Sequence, residues 1–216
     1  MKSISLVGFG CRQKEHGIPP QRQAVNVVCH IMTTPTNDRQ DRIKYLRKQE
    51  ERKRRLPEFL NSLSLIVGLP ITQNDVISIE ETDDIWTRIH ENEKLQQANL
   101  SLSFPYRDKD KLTTVFKALK NSLTGQKHYF TTHKFYETCF LLIDTSFCVD
   151  NYEKLIEYDG DTFFIYDKEL NNSLWVDTSE EHWRDKEKFT WTYELRVRGV
   201  DWIDKIYKAY KEVETS

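Results

Sequence analysis

Two stretches of this chain alternate apolar and polar residues with a period of two, and each leads through a short turn into an amphipathic helical pattern. In the first, Ala98, Leu100, Leu102 and Phe104 alternate with Asn99, Ser101 and Ser103. In the second, Phe189, Trp191, Tyr193, Leu195 and Val197 alternate with Thr190, Thr192, Glu194 and Arg196. Successive side chains of a strand point to opposite faces, so each segment has a dry face and a wet one. The helical patterns also match. Leu112, Val115, Phe116 and Leu119 share the i, i+3, i+4, i+7 spacing of Ile203, Ile206, Tyr207 and Tyr210. Each set makes one apolar stripe suited to packing on a sheet. Any helix that roofs a sheet has this spacing, so the likeness marks two similar strand-turn-helix modules without establishing a duplication. The pattern predicts an α+β fold whose mostly antiparallel sheet or sheets are covered by amphipathic helices on one side.

Between the modules the chain reads as a succession of short elements. Strands are expected at 2–9 and 23–32, separated by a loop holding Gly10, Gly17, Pro19 and Pro20. Asp38 is a candidate N-cap for a charged helix running to about Arg55. A second helix, carrying Phe59, Leu60, Leu63, Ile66 and Val67, begins with Pro57 in its first turn and ends at Gly68. Pro57 argues against one continuous helix through both segments. Val76, Ile77 and Ile79 suggest a short strand, and Asp83 or Asp84 a cap for the helix holding Ile85, Trp86 and Ile89. Further strands are expected at 127–132, 136–144, 161–167 and 174–176, with a helix over 151–157. The modules themselves predict a strand over 97–104 with a helix over 108–123, and a strand over 189–198 with a helix over 200–213. At 216 residues, one α+β domain over 1–216 is expected, with a candidate sub-division near 125 into 1–125 and 126–216.

Composition narrows the function classes. Charged residues make up 31 % of the chain, yet the net charge is only -2. The whole-chain charge therefore gives no argument for nucleic acid or an anionic membrane. No run of about 18 apolar residues occurs, and the apolar stretch Ile4 to Phe9 is shorter than a secretory core of about 7–15 residues. A cytoplasmic protein with no membrane association is expected. The four cysteines, Cys11, Cys29, Cys139 and Cys148, form no close pair. They read as reduced thiols, the alternative being a Cys139–Cys148 disulfide across a hairpin.

Catalytic and cofactor signatures are sparse. Gly8-Phe9-Gly10 follows an expected strand, but Gln13 stands where a dinucleotide fingerprint needs its third glycine, and no helix begins there. Phe9-Gly10 and His16-Gly17-Ile18-Pro19 locally resemble the opening of the C-terminal domain of bacterial RNase-adapter proteins. That family's later Asp/Arg strand and glycine-rich loop have no counterpart here, so nothing is carried over. Cys29, His30, His128 and His133 are the metal-ligand candidates. Cys29-His30 and His128/His133 each fall on opposite faces of a strand, so no metal or other cofactor is expected. His182, among Glu180, Glu181 and Asp185, is a loop acid–base candidate, and Asp159, Asp161, Asp167 and Asp177 flank expected strands as a candidate functional pair. Both sets also suit ordinary turns, so no catalytic residue is assigned.

The interaction signal is the basic helix 39–55. Arg47, Lys48, Arg52, Lys53, Arg54 and Arg55 are the candidate partner-binding residues. They suit an acidic protein surface or phosphates. A sheet that stacks RNA bases shows aromatics on its open face, and the expected open faces carry Asn, Ser, Thr, Glu and Arg. The leading expectation is a non-enzymatic protein-interaction protein of bacterial or phage type, immunity- or antitoxin-like, binding a protein by charge and shape complementarity. The alternative is a nucleic-acid-binding or nucleic-acid-processing protein that uses the 39–55 helix.

Overall fold

The computed structural model describes residues 35–95, 98–159, 162–182 and 189–215, without the side chains of 35–37, 95, 180–182 and 189–190. The strands expected at 2–9 and 23–32, with Gly8-Phe9-Gly10, Cys11, Cys29 and His30, lie outside the described residues, as do Asp161 and Asp185. Six α-helices and six strands are described: α1 (Pro35–Val67), α2 (Ile79–Leu95), β1 (Asn99–Pro105), α3 (Lys109–Lys117), α4 (Lys120–Leu123), β2 (Lys127–Thr132), β3 (Leu141–Asp144), α5 (Phe147–Asp159), β4 (Phe163–Tyr166), β5 (Ser173–His182), β6 (Phe189–Arg198) and α6 (Val200–Glu214). The strands form one sheet in the order β1-β6-β5-β4-β2-β3, every neighbouring pair antiparallel. The fold is α+β with an antiparallel sheet, as the alternating strands predict. The sheet joins segments from both sides of position 125, since β1 pairs with β6.

The two modules lie side by side. Leu102 faces Leu195 across the β1–β6 pair, and α3 packs against α6 on the same face of the sheet. One row of side chains then crosses all six strands: Leu100, Val197, Leu174, Ile165, Phe130 and Leu141. Five of the six are fully buried. Leu112, Val115 and Phe116 of α3, Leu155 of α5, Trp202 and Ile206 of α6, and Leu56 to Leu63 of α1 complete this core. Each large side chain so buried contributes roughly 1.5–3 kcal/mol of transfer free energy.

The opposite face is not left wholly to solvent. There β1 and β6 present Ser101, Ser103, Glu194 and Arg196, which suit water. The central strands present Tyr129, Phe164, Tyr166 and Trp175, which do not. Ile85, Trp86 and Ile89 of α2 cover these rings in a second, smaller core with Phe140 and Leu170. Helices therefore roof both faces near β4, rather than one side only. The physical reason is the run Phe163–Tyr166, in which all four residues are buried.

Several boundaries differ from the sequence-based expectation. α1 passes through Pro57 without a break. Pro57 and Lys53, whose carbonyl loses its helical partner, are both exposed, so the gap in the helical ladder falls on the solvent side. Leu56, Phe59, Leu60 and Leu63, buried on the other side, hold the helix on. Asp38 lies within the first turn of α1 rather than capping it. α2 starts at Ile79, not after Asp83 or Asp84. Ser78 Oγ accepts from the Glu81 amide at 3.0 Å, and Glu81 accepts from the Ser78 amide at 3.1 Å. That reciprocal box satisfies two donors and sets the helix start. The expected strand at 76–79 is reduced to a single bridge, Val76 to Leu141.

β5 extends to His182 and pairs there with Phe189, so His182 belongs to a strand rather than a loop. β4 ends opposite Val176 and β1 ends opposite Thr192, leaving the far part of the β5–β6 hairpin two strands wide. Trp191 sits in that arm and is 46 % exposed, unlike Tyr193, Leu195 and Val197, which point inward. β6 turns into α6 at Gly199, whose φ is 89°. A Cβ there would collide with Asn172 Oδ1 and the Asn171 carbonyl in the β4–β5 turn. Gly199→Ala is expected to lower stability by about 2 kcal/mol or more, through both strain and collision. Urea unfolding followed by circular dichroism reads this directly.

Candidate functional site

The 33 residues of α1 span about 50 Å, and its two faces have different fates. On the inner face Arg52 is half-buried and acts as a tie between segments. Its Nε donates to the Thr138 carbonyl, Nη1 to the Ile77 carbonyl at 2.8 Å, and Nη2 to Thr82 Oγ1 at 2.9 Å and the Ser78 carbonyl at 3.3 Å. One guanidinium thus joins α1 to the start of α2 and to the β2–β3 connection. Burial pushes its pKa down from a starting value so high that it stays charged. Lys48 is paired with Asp83. Arg55 binds Glu51 at 2.5 Å and lies 5.0 Å from the centre of the Phe135 ring.

The outer face carries the other half of the candidate set. Arg47, Lys53 and Arg54 are exposed. At about 100° per residue they fall with Arg39, Arg42, Ile43, Leu46 and Glu50 within an arc of roughly 140°. All eight are exposed, Ile43 at 40 % and Leu46 at 49 %. Of the six partner-binding candidates, Lys48, Arg52 and Arg55 are therefore engaged within the chain, and Arg47, Lys53 and Arg54 face outward around a shallow depression that Ile43, Leu46, Glu50 and Glu51 also line.

A second concavity lies on the α2 side of the sheet. It is a cleft of ≈ 470 Å³ walled by Trp86, His90 and Glu93 of α2, by His133 and Tyr136 of the β2–β3 connection, and by Phe164, Trp175 and Asp177 of β4 and β5. Sequence reasoning assigned no role to these aromatics. The signal was the unalternating run Asp161-Thr162-Phe163-Phe164-Ile165-Tyr166-Asp167, which implies burial on both faces and hence a second layer above the sheet.

The remaining candidates serve local structure. Asp167 accepts from the Asn171 amide at 2.8 Å and the Asn172 amide at 3.1 Å, closing the β4–β5 turn. Asp159 is buried and accepts from the Lys134 amide at 3.3 Å. Asp177 accepts from Thr162 Oγ1 and from the Thr178 amide, both at 2.8 Å. Cys139 and Cys148 are both free and buried. Burial pushes the Cys139 thiol up to about 12, against the opposing pull of Arg52, and raises Cys148 as well, so neither is a nucleophile at neutral pH. His133 is exposed and stacks on Tyr136, whereas His128 is buried, with Nδ1 3.1 Å from Thr145 Oγ1. Among the described residues no group of three or more His, Cys, Asp or Glu is placed to share a metal ion. Among them also, no helix is long and apolar enough to cross a membrane.

Comparison of the chain with protein-family models, with curated proteins and with solved structures returns no match. The residues themselves therefore carry the functional argument.

Two outcomes follow from this geometry. Arg52→Ala leaves the carbonyls of Ile77 and Thr138 without their donor, and is expected to cost about 2–4 kcal/mol in urea unfolding, with Arg52→Lys recovering only part. Burial holds the His128 pKa below its usual 6.5. The unfolded chain then binds the proton more readily, so this contribution is full above about pH 6.5 and is lost as the pH falls towards the folded value. Its slope is at most about 1.4 kcal/mol per pH unit. Stability–pH curves of wild type and His128→Gln should diverge in that window, and parallel curves would exclude the effect.

Proposed function

We propose that this protein is a non-enzymatic interaction protein, immunity- or antitoxin-like in mode, that holds an acidic segment of a protein partner on the outer face of α1. The observation that carries the reading is the exposure of Ile43 and Leu46 among five cations, Arg39, Arg42, Arg47, Lys53 and Arg54, against two carboxylates, Glu50 and Glu51, the second already paired with Arg55. Apolar anchors flanked by one sign of charge suit a protein surface of the opposite sign, where contact area gives affinity and charge gives encounter rate and register. Phosphates gain nothing from Ile43 and Leu46. The four successive cations Arg52 to Arg55 point around the helix, and two of them are tied down within the chain. The stripe therefore favours an acidic protein segment over a nucleic-acid backbone.

The test is selection of random peptides of about 16 residues on the wild-type protein, with counter-selection on the variant R47E/K53E/R54E. The recovered peptides are expected to be rich in Asp and Glu around an apolar anchor. Their affinity should fall about tenfold or more on that variant and on L46D, and weaken as salt is raised. Peptides with no acidic excess, or with equal affinity for the variants, would overturn the reading. Salt-sensitive binding of a short DNA duplex that the same variants abolish would give the stripe to nucleic acid instead.

A further inference from the structure

We propose that the cleft between α2 and the sheet binds an organic ammonium ion, its positive head boxed by the rings of Trp86, Tyr136 and Trp175 beside the Asp177 carboxylate. At ≈ 470 Å³ the cleft falls in the range of small-molecule sites. Apart from His133, which stacks on the ring of Tyr136, its aromatic rings cross. Trp86 and Tyr136 meet at 85° with centroids 5.6 Å apart, and Phe164 and Trp175 meet at 89° and 4.9 Å. A flat heterocycle needs two parallel faces. Perpendicular rings instead form the sides of a box, which suits a compact, rounded group and offers it several π faces.

The hydrogen-bonding inventory points the same way. Trp86 Nε1 donates to the Tyr136 carbonyl, and Trp175 Nε1 to the Tyr166 hydroxyl at 3.2 Å. Thr162 Oγ1 donates to Asp177 and the Tyr136 hydroxyl to Glu137 at 2.7 Å. His90 Nδ1 lies 2.7 Å from the Trp86 carbonyl, which only accepts. Nδ1 therefore carries a proton and is engaged as a donor. The cleft's donors are thus mostly engaged, while its ring faces and acceptors remain. That is a poor host for phosphate or carboxylate and a good one for a cation.

Charge agrees. Among the described residues that line the cleft there is no Lys or Arg, and two are acids, Glu93 and Asp177. Glu93 is paired with Arg198, whereas Asp177 is bonded only to a hydroxyl and an amide among the described residues. Trp175 already attracts one cation: the Arg196 guanidinium lies 5.6 Å from its ring centre. The ammonium group has two sources, a free small molecule or a methylated lysine in a peptide.

Titration of the full chain with choline, tetramethylammonium and a trimethyllysine peptide, read by tryptophan fluorescence, tests the assignment. Controls are inorganic phosphate and 3,3-dimethylbutan-1-ol, the neutral isostere of choline. Saturable binding of the ammonium probes is expected, with the neutral isostere about tenfold weaker or more and no response to phosphate. Tighter binding of the peptide identifies a modified protein as the source, and tighter binding of choline a small molecule. Trp175→Leu and Asp177→Asn should each weaken binding. Because Asp177 also anchors Thr162, the charge-versus-isostere comparison on the wild type decides the matter if these variants fail to fold. Equal affinity for choline and its neutral isostere, preference for phosphate, or no binding of any ammonium probe would overturn the proposal.

Discussion

Every residue of β4, from Phe163 to Tyr166, is buried, and a strand can be dry on both sides only if each face of its sheet is roofed at that point. The rest of the architecture follows from this constraint. On one face Phe163 and Ile165 join the main core beneath α3, α5 and α6. On the other, Phe164 and Tyr166 require a cover, and α2 supplies it through Ile85, Trp86 and Ile89. α2 packs over the central strands, and β1 and β6 keep the polar outer residues Ser101, Ser103, Glu194 and Arg196. The aromatic cleft lies between α2, the β2–β3 connection and strands β4 and β5.

The placement of α2 depends in turn on one charged side chain. Arg52 satisfies carbonyls at the entry to α2 and in the β2–β3 connection, positions that neither helix nor sheet can pair. A half-buried guanidinium with several acceptors is a costly but directional tie. It also explains how α1 combines two roles. Its inner face is structural from Tyr45 to Leu63, and its outer face is left basic and partly apolar. The ion pairs between surface helices, such as Lys109–Glu153 and Lys111–Glu214, are exposed and add little by comparison.

Where local pattern decides structure, the sequence was easy to read. The 189–198 strand and the helix after it follow their alternation and their 3.6-residue spacing almost to the residue. The helix end at Gly68, with φ of 76°, follows from the left-handed backbone that glycine permits. Two of the readings that failed involve a neighbour distant in sequence. Pro57 is carried inside a helix because Leu56, Phe59 and Leu63 pack on the core. Trp191 follows the apolar alternation yet faces water because β1 ends one residue short of it. The start of α2 was legible in Ser78-Ile79-Glu80-Glu81, a capping box that two nearby aspartates obscured.

What the sequence determined by itself was the identity of most strands and helices and which way their side chains point, because period and cap are properties of a few adjacent residues. Tertiary structure alone decided that half of the basic helix is internal scaffolding, because the acceptors for Arg52 lie 25 to 86 positions away in the chain. It also decided that Trp86, Tyr136, Phe164, Trp175 and Asp177 share one cleft. These residues belong to elements that the chain visits separately, and only the closing of two layers over β4 brings them together.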